Sequence, residues 1–128
     1  VDDALNTTRA AIKEGVVVGG GLTLLKVSTL LDEIPMQGPA VAAQEVLVTA
    51  LRAPTYQLGI NAGVNPEGLM VQLLKQVGSM GFNAKTRQFA DLRAEGVLDA
   101  ASVVKSSLRA AVSIATMVIL TEVLVADL

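Results

Sequence analysis

The sequence of 128 residues contains no cysteine and no histidine, and these two absences exclude several kinds of chemistry. Without cysteine the chain forms no disulfide, and without either residue it has no thiolate or imidazole ligands for zinc. Histidine is also the commonest general base in catalysis, so any proton transfer here must use another side chain. The lack of cysteine is compatible with a reducing compartment.

The chain also has few aromatic residues and a small net charge. Aromatics make up 2% of the chain and apolar residues 52%, so the core must be built from small aliphatic side chains, which suit close packing of helices. The net charge of -2 provides no electrostatic footprint for a nucleic-acid backbone, and we exclude DNA and RNA as partners. A chain of this length is one domain or part of one.

The most apolar stretch, Ala110 to Thr121, carries no charged residue. A helix that spans a bilayer needs about 20 apolar residues, and this run is shorter and is interrupted by Ser113 and Thr116. The sequence therefore predicts a buried helix here, and no membrane as a partner.

The spacing of apolar residues predicts a mainly helical chain. A first helix is expected up to Glu14, ended by Gly15, a residue suited to a left-handed helix cap. A second helix is expected from Leu22 to Leu31. Gly38-Pro39 opens a third, because proline is tolerated in the first turn of a helix.

Pro54 predicts an interruption of that third helix. Proline removes a backbone hydrogen bond, so we expect a break or kink near Ala53 and a fourth helix from there to Ile60. Asn65, followed by proline, is typical of a helix start, and the apolar pattern that follows predicts a helix over 69–77.

The pattern changes between Gly78 and Leu98, where the apolar spacing fits extended segments better than a helix. A small β-hairpin or meander is expected near residues 80–98. The helical pattern returns from Asp99, and the β-branched residues of Val123 to Val125 predict a short strand near the end.

Three groups of residues have both a structural and a chemical interpretation. Gly19-Gly20-Gly21 lets backbone approach a ligand closely before a helix N-terminus, although a lone glycine triplet is more typical of a tight turn. Asn83 has an amide that can donate to and accept from a base edge, but asparagine also favours turns. Asp99 can cap a helix that starts at Ala100 or accept from ribose hydroxyls, and the residues alone favour the cap.

Three segments together indicate a family. The run from Val1 to Gly21 joins a helix to the triple-glycine turn, and Gly81-Phe82-Asn83-Ala84 is followed at a fixed distance by Gly96-Val97-Leu98-Asp99. These segments resemble the corresponding segments of the group I chaperonins, the GroEL type. The resemblance extends over nearly the whole chain. A full subunit of that family is several times longer, so the resemblance implies a C-terminal fragment of one.

The resemblance implies a fold and a division of the chain. The expected fold is mainly α, a multihelical bundle like the chaperonin equatorial domain with a small β-hairpin or meander. Residues 1–18 would be the end of the intermediate domain and the hinge, and residues 19–128 the C-terminal half of the equatorial domain, which binds ATP and makes ring contacts.

The resemblance also implies residues that bind the nucleotide. Gly20 corresponds to backbone that lies against the ribose, and Asp99 to a carboxylate that accepts from the ribose hydroxyls. Asn83 and Ala84 correspond to an adenine-contacting pair, and Lys85 stands at the rim where the family usually has a small or apolar residue.

A catalytic role is implied for Asp3, the second acid of the first helix, which would position or activate the attacking water. Phosphoryl transfer depends mostly on positioning and on charge stabilisation. The family's Gly-Asp-Gly-Thr-Thr loop, which holds the phosphates and the magnesium ion, is not in this sequence. ATP or ADP with Mg²⁺ is therefore implied for the longer parent, no metal ligand is expected in this chain, and we predict no ATP turnover by it alone.

The implied function is ATP-driven folding of other proteins within a ring oligomer. The implied partners are sister subunits, a co-chaperonin lid and unfolded polypeptide, in a bacterial cytoplasm or an organelle matrix. The alternative is a non-catalytic helical module, derived from a chaperonin, that associates through apolar helix faces. Nucleotide binding that depends on Asn83 and Asp99 would favour the chaperonin function. Association of the chain that does not change when nucleotide is added would favour the helical module.

Overall fold

The computed structural model describes residues 2–126, and helices account for most of them. In chain order the elements are α1 (Asp2–Glu14), β1 (Val16–Val18), α2 (Leu22–Asp32), α3 (Pro39–Asn61), α4 (Pro66–Leu74), β2 (Met80–Asn83), β3 (Gln88–Asp91), β4 (Leu98–Ala100) and α5 (Ala101–Ala126). The predicted fold class, mainly α with a small β-hairpin, is confirmed.

Several helix ends lie where the sequence predicted them, because local backbone chemistry fixes them. Gly15 follows α1 with φ of 89°, and its N–H donates to the carbonyl of Ala11 at 2.9 Å. Asn65 precedes α4, and its side-chain oxygen accepts from the N–H of Gly68 at 2.9 Å. That helix ends at Leu74, three residues before the predicted end.

Of the predicted break or kink near Ala53, the break is wrong and so is the separate fourth helix, because α3 continues from Pro39 to Asn61 with Pro54 inside it. A proline within a helix costs about 3 kcal/mol. Helix α3 packs against α2, α4 and α5, and its Leu51 and Thr55 are fully buried. This packing on three sides holds the helix together across the proline.

Two antiparallel ribbons complete the fold. β2 and β3 form the predicted hairpin, with Phe82 opposite Phe89 and their rings edge to face at 5.9 Å. β1 pairs with β4, with Val17 opposite Asp99. The sequence analysis missed this second ribbon, because each strand has three residues and the two lie far apart in the chain.

The core is aliphatic, as the composition predicted, and contains one aromatic ring, that of Phe82. It joins the glycine turn, α2, α4 and the hairpin. Its buried members are Val18, Leu22, Leu25, Leu69, Leu73, Phe82 and Leu92. Because this cluster lies directly beneath the glycine turn, it fixes the turn against the hairpin.

Helix α5 differs from prediction at its end and in its burial. The strand predicted over Val123–Val125 is wrong, because α5 continues to Ala126. The run from Ala110 to Thr121 is not a buried helix either, since only its Ala111 and Ala115 are buried. The helical spacing turns these two alanines inward, and the described residues provide no partner for the opposite face.

The exposed face of α5 is strongly apolar. The segment Ala101–Thr121 is long and apolar enough to cross a membrane by length and composition, a test that helices of soluble proteins also pass. Its exposed residues include Met117 at 65% and Leu120 at 58% exposure. We call the following residues the α5 apolar face: Val103, Val112, Ile114, Met117, Leu120, Leu124 and Val125.

Candidate functional site

The triple-glycine turn meets both ribbons. The N–H of Gly19 donates to the carbonyl of Val97 at 2.8 Å. A Cβ atom on Gly20 would lie 3.0 Å from Cδ1 of Leu92 and 3.6 Å from the carbonyl oxygen of Phe82. The turn is therefore in direct contact with the backbone before Asn83 and with the segment that leads into β4.

Gly21 is the tightest point of this turn. Its φ is 74°, a conformation that favours glycine, and a Cβ there would overlap Oγ1 of Thr55 and lie 3.1 Å from the Thr55 nitrogen. Thr55 is 0% exposed, and among the described residues its hydroxyl has no hydrogen-bond partner. The sequence analysis did not identify Thr55, since nothing in its local pattern distinguishes it from other helical residues.

Asn83 is at the end of β2 and has its amide engaged. The side-chain oxygen accepts from the N–H of Lys85 at 2.9 Å and of Thr86 at 3.3 Å, and the side-chain nitrogen donates to the carboxylate of Glu95. The two backbone donors fix which end of the amide is the oxygen. The turn interpretation of Asn83 is thus correct, and its other side-chain N–H has no acceptor among the described residues.

Ala84 and Lys85 lie in the four-residue connection between β2 and β3. Ala84 is half-buried against the core, and Lys85 is exposed. The N–H of Arg87 closes this connection on the carbonyl of Asn83 at 2.7 Å. Glu95, which accepts a hydrogen bond from the Asn83 side chain, was not singled out from the sequence, because its segment was identified only as a turn.

Asp99 is exposed in the middle of β4. With Gly21, Val103 and Ser107 it lines an open cavity of about 210 Å³ at the start of α2. The predicted cap is wrong, because α5 begins one residue later and the N–H of its first residue, Ala101, donates to the carbonyl of Gly15 at 3.0 Å. Among the described residues the Asp99 carboxylate accepts no hydrogen bond.

Asp3 lies apart from these residues. It is exposed in the first turn of α1, while the other end of this helix is fixed by a 3.5 Å ion pair between Glu14 and Lys105. At 1.5 Å per residue, Asp3 is about 16 Å along the helix from Glu14. No described hydrogen bond joins it to Gly20, Asn83 or Asp99. Nor do the described residues contain a cluster of acids that could hold a metal ion.

Asp91 anchors the turn that carries Glu95. Its carboxylate accepts from the hydroxyl of Ser79 at 2.6 Å and from the backbone N–H groups of Arg93 and Ala94. These hydrogen bonds, with that of Ser79 the strongest, hold the pKa of Asp91 below its ordinary value of 3.8.

We expect Asp91→Asn to lower the melting temperature at pH 7, and we expect this difference to become smaller as the pH falls from 7 towards 3. A carboxylate whose pKa is lowered by folding stabilises the fold above its unfolded pKa, and this contribution is lost as the pH falls through the folded value. Thermal melts of both chains from pH 7 to pH 3 measure it. Glu45→Gln, on the exposed side of α3, is the control for loss of one negative charge. A difference that persists unchanged at pH 3 would contradict the assignment.

The fold is similar to part of a chaperonin subunit. The chain superposes on an open-state monomer of a group II chaperonin from Methanococcoides burtonii with a TM-score of 0.76. The superposition covers 92% of this chain and 31% of that one, at 28% sequence identity.

The chain belongs to the TCP-1/cpn60 chaperonin family, whose profile matches residues 1–127. It is 43% identical over 129 aligned positions to chaperonin GroEL 1 of Prochlorococcus marinus, so the resemblance to the GroEL type is confirmed. The alignment covers 99% of this chain and 23% of that protein, and the chain therefore spans about a quarter of its relative's length.

Proposed function

We propose that this chain forms part of an ATP-dependent chaperonin subunit, which assists protein folding and prevents misfolding within a ring oligomer. The observation that carries the proposal is the convergence at the glycine turn. A Cβ atom on Gly20 would lie 3.6 Å from the carbonyl oxygen of Phe82, and the N–H of Gly19 donates to the carbonyl of Val97, two residues before Asp99. The three segments on which the family resemblance rests are thus adjacent in the fold.

In this proposal the chain supplies the base and ribose side of the nucleotide site. By the family resemblance, the backbone at Gly20 lies against the ribose. Asp99 accepts from the ribose hydroxyls, for which its exposed carboxylate has two oxygens. Asn83 and Ala84 contact adenine, and Lys85 stands at the rim.

The phosphate and metal side of the site comes from outside this sequence. We assign residues 1–18 to the end of the intermediate domain and residues 19–128 to the C-terminal half of the equatorial domain. Asp3 would reach the attacking water only when α1 and the site are brought together in the complete subunit. The chain by itself would then bind ADP or ATP without hydrolysing it, because it lacks the loop that holds Mg²⁺.

The proposed partners follow from the complete subunit: sister subunits of the ring, a co-chaperonin lid and unfolded polypeptide. The proposed location is a bacterial cytoplasm or an organelle matrix. Nucleic acid and membrane are not among the proposed partners.

We expect the purified chain to bind ADP and Asp99→Ala to weaken this binding at least tenfold. Hydrogen bonds to a charged acceptor are worth about 1.5–3 kcal/mol, and tenfold corresponds to about 1.4 kcal/mol. Isothermal titration with ADP and magnesium measures both chains. Asp32→Ala, an exposed acid at the end of α2, is the matched control. Equal binding by the Asp99 variant would contradict the ribose role.

The α5 apolar face supports a second candidate, a non-catalytic oligomerisation or interaction module. The side chains of Ile114, Met117 and Leu120 are each more than half exposed. Contiguous exposed apolar surface of this kind drives association. Sedimentation of the samples used for titration distinguishes the two functions. Association of a chain that binds no ADP, unchanged by added nucleotide, favours the module.

A further inference from the structure

The amide of Asn83 cannot contact adenine in the way that a free asparagine does. A free asparagine makes two hydrogen bonds to adenine, its oxygen accepting from the exocyclic amino group and its nitrogen donating to a ring nitrogen. Here the oxygen already accepts from the backbone N–H groups of Lys85 and Thr86, and an amide oxygen has two lone pairs. Only an N–H donor of the Asn83 side chain is left for a ligand. A hydrogen bond from the exocyclic amino group of adenine therefore needs an acceptor on another residue.

Glu95 supplies an acceptor at this point. Its carboxylate lies within hydrogen-bonding distance of the Asn83 side-chain nitrogen, which donates to it. A carboxylate offers about four acceptor positions, and Asn83 occupies one of them. The exposed Glu95 side chain and the remaining N–H of Asn83 therefore form an acceptor beside a donor.

Backbone hydrogen bonds of the turn after β3 hold Glu95 in place. Its N–H donates to the carbonyl of Asp91 at 3.1 Å, and the Asp91 carboxylate accepts from two further backbone N–H groups of the same turn, as described above. The N–H of Val97 then closes the turn on the carbonyl of Leu92 at 2.9 Å. The turn after β3 thus places Glu95 next to Asn83 at the end of β2.

We infer that Glu95 is a specificity-determining residue of the nucleotide site: its carboxylate accepts from the exocyclic amino group of adenine, while the free N–H of Asn83 donates to the adjacent ring nitrogen. This inference rests on the proposed function, since it assigns the base-recognising atoms of that same site. It predicts selection for a purine that carries the amino group. A purine without this group would leave the carboxylate facing the base with no donor, which costs binding free energy.

The test compares two nucleotides on three chains. ADP and the diphosphate of purine riboside, which lacks the exocyclic amino group, are titrated by calorimetry into the unchanged chain, Glu95→Ala and Glu45→Ala. We expect the unchanged chain and the Glu45 control to prefer ADP about tenfold, as a hydrogen bond to a charged group implies. We expect Glu95→Ala to lose most of this preference by binding ADP more weakly, with the other nucleotide little affected.

The outcomes separate this inference from the proposed function. Binding of ADP and the purine riboside diphosphate with equal affinity by the unchanged chain overturns the inference alone, as does a preference that survives in Glu95→Ala. Binding of neither nucleotide by the unchanged chain overturns the proposal that this chain alone binds ADP, and the inference with it. Circular dichroism of each variant verifies that the exposed substitution leaves the fold intact.

Discussion

Replacing Gly21 by alanine is expected to lower the free energy of unfolding by about 3 kcal/mol. The left-handed backbone conformation accounts for about 1–2 kcal/mol of this, since φ at Gly21 is 74°. The rest comes from overpacking, because the new methyl group would overlap the Thr55 hydroxyl and lie 3.1 Å from the Thr55 nitrogen. Chemical denaturation of the purified chain measures the change.

Gly15→Ala is the matched control, because it separates backbone strain from steric overlap. Gly15 also has a positive φ, of 89°, but no atom lies within 4 Å of the position of its Cβ. We expect this variant to cost about 1–2 kcal/mol, from the backbone term alone. Equal losses in the two variants would show that the contact with Thr55 does not constrain the turn.

A second large effect is expected for Leu92→Ala, which should cost about 2–5 kcal/mol. Leu92 is 0% exposed, and its side chain lies against both Gly20 and Gly81. Removing it would leave a cavity between the glycine turn and the hairpin. Denaturation again provides the measurement. If the proposed nucleotide site is correct, ADP binding should weaken in parallel, because the glycine turn and the hairpin meet at this side chain.

The control for Leu92 is a leucine of the α5 apolar face. Leu120→Ala removes the same atoms from a side chain that is 58% exposed, and surface substitutions of this kind usually change stability by less than about 0.5 kcal/mol. Similar losses at the two positions would contradict the assignment of Leu92 to the core. A stable Leu92 variant that still binds ADP normally would show that the cluster does not position the site.

The candidate site was only partly predictable from the sequence. Asn83 and Asp99 were singled out, but their local chemistry suggested a turn for one and a helix cap for the other. The structure confirms the turn and excludes the cap, because Asp99 pairs in β4 while Ala101 begins the helix. Glu95 was overlooked, since its contact with Asn83 depends on how the turn after β3 folds back.

Features that the sequence determined by itself are local ones. The end of α1 just before Gly15 and the start of α4 just after Asn65 follow from the backbone freedom of glycine and the capping oxygen of asparagine, which act within a few residues. The hairpin near residues 80–98 follows from a change of apolar period, and the aliphatic core from composition. These properties need no knowledge of distant parts of the chain.

Only the tertiary structure decided the pairing of β1 with β4, the continuity of α3 through Pro54 and the exposure of the α5 apolar face. The first two depend on contacts between segments far apart in sequence, where the free energy of burial exceeds local preferences such as the cost of a proline. The third depends on the absence of such contacts among the described residues. A three-residue strand or an apolar helix has the same local pattern whether or not a partner covers it. Which segments meet was therefore settled by packing.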